Sequence, residues 1–305
     1  MPELPEVETT VKGLQKKVLS RTFIDVWSDW EKTVRLRSQF AKTAARQVKK
    51  PKDFEVFKKI IKGKRIKKIW RRAKNAIFEL SDNCSLLIHM KMTGHLMVGK
   101  WILKNNKWQP EKRGPLEEKI NTFIHVLFTL DNGQMIALSD LRKFAKVELW
   151  RTDELLASPE LKGWGPEPLA KSFTLAKFKE ALKGKKGKIK QVIMVPEVIA
   201  GIGNIYSSEA LWWAKIYPEK SAATLTGKEL KLLYGAVKKV LETGIKLGGE
   251  SFADYRDIDG KKGHFDDERK VYKREKEKCI RCGALIVRKK FGGRSAFFCP
   301  TCQKL

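Results

Sequence analysis

Near the C-terminus four cysteines stand as two pairs, Cys279-x-x-Cys282 and Cys299-x-x-Cys302, with sixteen residues between the pairs. That spacing is the donor pattern of a four-thiolate zinc site, and one structural Zn2+ is expected there. The residues between, 284–298, alternate toward strand around Gly292-Gly293. The tail therefore reads as a β-hairpin tied at its base by metal. Arg294, beside that turn and flanked by Gly and Ser, is placed to enter a groove or grip a phosphate. A zinc hairpin by itself says nothing of catalysis. The paired thiols argue for metal rather than disulfides, and the fifth cysteine, Cys84, lies in an apolar run and reads as core.

The other 270 or so residues are long enough for two more domains. Residues 5–19 carry Val7, Val11, Leu14 and Val18 on one helical face. Residues 22–100 and 123–150 read mostly as strands, in short apolar runs broken by Gly, Asn and Asp, and Asp131-Asn132-Gly133 marks a hairpin. Segments 28–57 and 100–121, rich in Lys, Trp, Asn and Pro, read as long loops or insertions, the first with a short helix. Gly163-Trp164-Gly165-Pro166-Glu167-Pro168 reads as a linker. After it the period turns helical, over 173–182, 189–195, 205–214 and 228–246. The Lys- and Gly-rich stretch 183–190 is either a solvated turn or a phosphate-contacting loop. Gly201-Ile202-Gly203-Asn204 is either a capped turn, with Asn204 as N-cap, or an anion site at a helix start. The polar segment 248–273 reads as a long flexible loop of the functional kind. The expected fold is α+β and multidomain. An N-terminal catalytic β-sandwich with flanking helices (1–150) is followed by a linker (151–172), a helical domain (173–271) and the zinc hairpin (272–305).

Charge narrows the partner. Against 35 Asp and Glu stand 64 Lys and Arg, a formal net charge of +29. A chain this basic calls for a polyanion, and nucleic acid is the usual one. No apolar run reaches the ~20 residues of a membrane span, and the start lacks the basic-then-apolar pattern of a secretory signal. A soluble cytoplasmic protein is expected.

The first eight residues, Met1-Pro2-Glu3-Leu4-Pro5-Glu6-Val7-Glu8, suit a helix start, with Pro5 in the first turn and acids at the positive end of the dipole. They also suit chemistry. If Met1 is removed, the ring nitrogen of Pro2 becomes a free secondary amine. Its pKa of roughly 8 leaves a useful neutral fraction. Such an amine can add to a sugar C1′ and form an iminium, with Glu3 and Glu6 near enough in sequence to carry protons.

These pieces together resemble one family over nearly the whole chain, the bacterial formamidopyrimidine-DNA glycosylases. The resemblance rests on the start octet, Arg71-Arg-Ala-Lys74, His89-x-x-Met92-x-Gly94, Arg142-x-Phe144, Gly165-Pro-Glu-Pro-Leu169, Gly201-x-Gly-Asn-Ile-Tyr206 and the four cysteines. It implies a β-sandwich, a helix–two-turn–helix domain and a zinc hairpin. It implies excision of oxidised purines and cleavage of the strand at the abasic site. Pro2 then resembles the nucleophile, Glu3 the carboxylate that assists sugar-ring opening, and Glu6 a second carboxylate close to the site. Lys74, His89, Asn204 and Arg294 match positions that grip phosphates, Lys74 and Arg294 close to the chemistry. Met92, Arg142 and Phe144 match side chains that fill the gap left by the extruded base. The implied partner is double-stranded DNA carrying oxidised bases or abasic sites, met by a monomer, with no membrane involved. The chain departs from the pattern at Leu141, where Pro is usual, at Met194-Val195-Pro196-Glu197, and at His264, where Tyr is common. Two other readings stay open: an endonuclease VIII-like enzyme for oxidised pyrimidines, and a non-catalytic protein that binds damaged DNA.

Overall fold

Helix α1 (Leu4–Val18) forms where the apolar spacing places it, and Val7, Val11, Leu14 and Val18 are buried along one face. Pro5 sits in the first turn, where a missing N–H costs nothing. The computed structural model describes residues 1–37, 40, 45–47, 51–251 and 254–304. They divide into two units, 1–162 with 248–264, and 163–247 with the residues from 265 onward.

The first unit is a sandwich. One sheet runs β1 (Phe23–Ser28), β10 (Ile124–Leu130), β11 (Met135–Ser139) and β7 (His95–Gly99), antiparallel throughout. The other runs β3 (Ala45–Gln47), β2 (Val34–Arg37), β12 (Lys146–Arg151), β6 (Cys84–His89), β5 (Asn75–Leu80) and β4 (Ile66–Arg72). Phe23, Val26, Phe128 and Leu138 of the first sheet share one buried cluster with Phe78, Leu86, Val147 and Leu149 of the second. Helix α1 and helix α2 (Pro51–Ile61) add Leu14, Phe57 and Ile61 to it. The 131–133 turn joins β10 to β11, with Gly133 at φ +75° supplying the left-handed residue.

Both supposed insertions are built differently from the loops their composition suggests. Segment 28–57 supplies β2 and β3 and opens α2, while its residues 38–39, 41–44 and 48–50 lie outside the described residues. Strand β2 lies parallel to β12, a partner more than a hundred residues away. Segment 100–121 forms a hairpin, β8 (Trp101–Lys104) with β9 (Lys107–Pro110), followed by two 3-10 turns. Trp101 and Trp108 turn inward there and pack with Trp27. Amphipathic strands this short do not show a period long enough to read.

The stretch 151–172 is not one linker. Helices α3 (Thr152–Ala157) and α4 (Pro159–Lys162) belong to the sandwich unit, and the division falls at Gly163. Segment 248–264 also belongs to the sandwich unit. Ile258 enters the sandwich cluster, its carbonyl accepts the Val98 N–H at 2.8 Å, and Gly13 of α1 leaves it room. A Cβ on Gly13 would lie 2.7 Å from Ile258 Cγ1.

In the second unit come α5 (Leu175–Leu182), α6 (Ile189–Val192), α7 (Asn204–Ala214), α8 (Gly227–Lys246) and α9 (Phe265–Glu268). Thr226 caps α8, accepting from the Glu229 N–H at 3.2 Å. Helices α7 and α8 approach closely at Gly244, where an added Cβ would lie 2.6 Å from the Tyr206 ring. The chain ends in the hairpin β13 (Val287–Phe291) and β14 (Arg294–Phe298). Among the described residues no helix is long and apolar enough to cross a membrane.

Ile258 is expected to behave as a core residue although it lies on a connecting segment. Ile258→Ala should cost roughly 2–4 kcal/mol by opening a cavity in the sandwich. Urea unfolding followed by circular dichroism measures this, and a cost below about 0.5 kcal/mol, the range of surface substitutions, would contradict the packing.

Candidate active site and nucleic-acid interface

Pro2, Glu3 and Glu6 are all buried at the head of α1. Glu6 holds them there. Its Oε2 accepts the Glu3 N–H and its Oε1 the Glu250 N–H, both at 2.7 Å. Gly249, at φ +88°, passes so close that a Cβ would lie 2.8 Å from Glu6 Cγ. The Tyr255 hydroxyl donates to the Glu6 carbonyl at 3.0 Å. The chain start is thus wired to segment 248–264.

Lys74 stands in the tight turn between β4 and β5, where Ala73 takes φ +52°. Arg71 steadies that turn, donating to the Ala73 carbonyl at 2.9 Å and to Glu8 of α1 at 2.8 Å. His89, at the end of β6, accepts the Lys91 N–H on Nδ1 at 2.9 Å, which leaves the proton of the neutral ring on Nε2. Burial, then Lys91, Lys74 and Lys146, push its pKa down to about 3. His89 is therefore a neutral donor in a field of cations.

Met92, Arg142 and Phe144 project from two turns that are fastened together. Met92 is 41% and Phe144 51% exposed, and the Arg142 guanidinium lies 4.6 Å from the Phe144 ring centre. The fastening is Asp140, which sequence reasoning passed over. Its carboxylate accepts the Phe144 and Ala145 N–H groups, each at 2.7 Å, and the Thr93 hydroxyl. Thr93 Oγ1 in turn accepts the Arg142 N–H at 3.1 Å. Gly94 is required in the other turn, because a Cβ would meet the Met90 carbonyl oxygen at 2.4 Å. An Asp two residues before an Arg is too common a pair to read as a clasp.

Beside Phe144 lies a cavity of ≈ 480 Å³ walled by Trp30, Lys32, Arg35, Lys91, Lys143 and Lys146, with no carboxylate in its lining. Lys143 and Lys32 flank the Trp30 ring at 4.6 and 5.2 Å. Burial and the neighbouring Lys91 and Arg35 hold the Lys146 ammonium below the ordinary lysine range. Cations so crowded favour an anion among them.

The second unit gathers Asn204 and Arg294 around α6. Asn204 is the first residue of α7, not its N-cap; Gly203 takes that place. Its carbonyl receives the buried ammonium of Lys190 at 3.1 Å, which also donates to Ser207 and Ser208 at 2.7 and 2.8 Å. Lys190 is fully buried, so it belongs to neither alternative read for the 183–190 stretch. The hairpin turn Gly292-Gly293 has both residues at positive φ, and Gln191 of α6 leaves no room for a Cβ on Gly292. Arg294 follows that turn, exposed, with Nη1 3.7 Å from Met194 Sδ.

Cys279, Cys282, Cys299 and Cys302 bring their sulfurs within 4.8 Å of one another. Tetrahedral Zn–S bonds of about 2.3 Å place sulfurs roughly 3.8 Å apart, and the Cys282–Cys299 and Cys279–Cys302 pairs lie at 3.4 and 4.0 Å. The donor set fits one zinc ion. Trp212, Ile286 and Phe297 pack around it, and Gln303 ties the Cys299 N–H to the Ile216 carbonyl. Glu209 of α7 accepts the N–H groups of residues 270, 271 and 272, which fixes the approach to the finger.

Residues 1–147 match the family model of the formamidopyrimidine-DNA glycosylase N-terminal domain, and 164–256 that of the formamidopyrimidine-DNA glycosylase H2TH domain. Residues 276–305 match the zinc finger found in FPG and IleRS. The formamidopyrimidine-DNA glycosylase of Desulfitobacterium hafniense is 37% identical, over 99% of this chain and 100% of that protein. The chain belongs to the formamidopyrimidine-DNA glycosylase family. The relative from Pelotomaculum thermopropionicum is 36% identical with full coverage of both. Among solved structures, Lactococcus lactis Fpg in complex with abasic-site DNA superposes with a TM-score of 0.82 at 33% identity, covering 99% of this chain and 100% of that one. MutM in complex with DNA containing carbocyclic 8-oxo-G gives 0.81 at 34%, with full coverage of both chains. The glycosylase fold accounts for the sandwich, the helical unit and the zinc finger alike.

His89 should not titrate between pH 5 and 8 in the free protein, and its ring NMR signals test this directly. Its folded pKa lies below the ordinary 6.5, so its contribution is complete above about pH 6.5 and is lost as pH falls toward 3. A midpoint near 6.5 would contradict the burial. Zinc should be present at one ion per chain, and its removal by a chelator should raise proteolytic cleavage within 276–304 while leaving sandwich fragments intact; an unchanged digest would count against a structural metal.

Proposed function

We propose that this protein is a bifunctional DNA glycosylase and abasic-site lyase of base excision repair, acting in the cytoplasm on oxidised purines. The observation that carries the reading is the burial of Pro2 beside Glu3 in a chain start pinned by Glu6. A flexible N-terminus could not present an amine at one fixed place. The relatives' shared name and neighbours holding abasic-site and 8-oxo-G DNA support the substrate class over oxidised pyrimidines.

A base stacked in a duplex shields its C1′, so the nucleotide must be extruded, at a cost of a few kcal/mol. Met92, Arg142 and Phe144 fill the vacated space and offset that cost. His89, Lys74, Asn204 and Arg294 hold phosphates of the bent strand, and the cavity beside Phe144 adds positive potential. With Met1 removed, the Pro2 amine attacks C1′ and the C1′–base bond breaks, the base leaving with a proton. Glu3 assists ring opening by moving a proton at the sugar oxygen. The resulting iminium acidifies C2′. Loss of a C2′ proton expels the 3′ phosphate, and a second elimination expels the 5′ phosphate. Zinc takes no part in these steps; bound by its four thiolates, it keeps the Arg294 hairpin in shape.

Borohydride should trap a covalent protein–DNA adduct on a duplex containing 8-oxoguanine opposite cytosine, and Pro2→Gly should trap none. Mass spectrometry of the adduct should show a chain lacking Met1. Activity from a chain that retains Met1 would sink the mechanism, because that nitrogen is an amide. Tight lesion binding without any adduct, on this duplex or an abasic one, would favour the non-catalytic reading.

A further inference from the structure

Segment 115–121 meets segment 254–263 through polar contacts that none of the proposed chemistry uses. Arg256 forks onto Glu118, with Nε to Oε2 at 2.7 Å and Nη2 to Oε1 at 2.5 Å, while its Nη1 donates to the Tyr255 carbonyl at 2.7 Å. The Arg256 side chain is 4% exposed and that of Glu118 38%, so the guanidinium is desolvated while the carboxylate keeps one side in water, and the fork fixes their planar geometry. The guanidinium also holds the Glu118 carboxyl below the usual carboxylate range.

Asn121 makes the second tie. It is fully buried, and its Nδ2 donates to the Pro115 carbonyl at 2.7 Å and the Gly260 carbonyl at 3.0 Å. Its Oδ1 lies 2.8 Å from His95 Nε2. Burial pushes the pKa of His95 down to about 4, so a neutral ring donates to that oxygen. Only an amide satisfies two carbonyls and one N–H donor at this place. Gly260, at φ +78°, approaches so closely that a Cβ would lie 2.8 Å from Asn121 Nδ2.

The tied segment leads straight to the chain start. Tyr255, whose carbonyl takes Arg256, donates its hydroxyl to the Glu6 carbonyl. The same segment closes on itself through the Gly263 N–H and Ser251 Oγ at 2.8 Å, and Glu250 reaches Glu6. We infer that residues 115–121 are a brace that fixes the 254–263 limb relative to Glu6, and that Glu118 and Asn121 are positioning residues for base excision. This rests on the glycosylase reading above, in which the extruded nucleotide is brought to Pro2, beside the limb whose Tyr255 bonds to Glu6. A limb held in advance avoids part of the ordering cost on base capture. An abasic site has no base to hold, so the two half-reactions should separate.

The test uses the full zinc-loaded chain as wild type, as Glu118→Ala, and as the charge swap Glu118→Arg with Arg256→Glu. Hydrogen exchange over 254–263 should rise about tenfold or more in Glu118→Ala, with β10 and β11 unchanged. In the same variant kcat for 8-oxoguanine excision should fall about tenfold or more, while cleavage of an abasic duplex stays within about twofold. The swap should recover most of the excision rate. Unchanged exchange over 254–263 would overturn the brace. Equal loss of excision and abasic cleavage, or no recovery in the swap, would overturn the positioning role. Wild-type protein lacking both activities would remove the glycosylase reading, and the exchange arm would still decide the brace.

Discussion

The Glu6 carboxylate is 1% exposed and divides itself between two backbone N–H groups, those of Glu3 and Glu250. Taking a carboxylate out of water costs several kcal/mol. Two hydrogen bonds to a charged acceptor return about 1.5–3 kcal/mol each, and its place in the first turn of α1 adds a favourable dipole term. Losing either donor would leave this buried carboxylate less well satisfied. One side chain thereby makes the position of Pro2 depend on a segment almost 250 residues away. Gly249 follows from the same constraint, since any side chain there would collide with Glu6. The sandwich beneath supplies rigidity, and the carboxylate turns that rigidity into a fixed N-terminus.

Electrostatics in the sandwich unit have the character of a surface prepared for a polyanion. Burial first, then Lys91, Lys74 and Lys146, keeps His89 neutral, and burial, then Lys91 and Arg35, depresses Lys146. Such crowding is a cost carried by the free protein. On the proposed reading, phosphates placed among these groups would relieve it, so that part of the binding free energy would be stored as like-charge repulsion. The neutral His89 avoids deepening the repulsion and still offers an N–H.

Legibility in the sequence followed the range over which each feature is determined. Helix α1, the 131–133 turn and the Gly292-Gly293 hairpin are set by neighbours within a few residues, and each forms where its pattern lies. The four thiols are legible because their chemistry needs a fixed spacing. Strand β2 was not, since its parallel pairing with β12 is decided by residues far along the chain. Segment 248–273 reads as loose because it is polar, yet in its first part the buried Ile258 and Tyr255 and the bonds to Glu6 and Val98 fasten it. Asp140, Thr93 and Lys190 are illegible for a related reason. A buried polar residue is recognisable only by its partners, and theirs lie outside any local window.

The second unit solves the same problem of fixing an exposed side chain by other means. The segment that carries Arg294 is too short to bury a core of its own. Four thiolates and a metal replace that core, and Trp212 and Phe297 seat the finger on α7. The tip needs two left-handed residues for its turn and no side chain opposite Gln191, so glycine is required twice over at Gly292. Lys190 then fixes the start of α7 by giving its ammonium to three oxygens at once. A buried lysine is tolerable only with such partners, and losing one of them would weaken the compensation of a buried charge. Arg294 and Asn204 therefore take their positions from buried groups of the same unit.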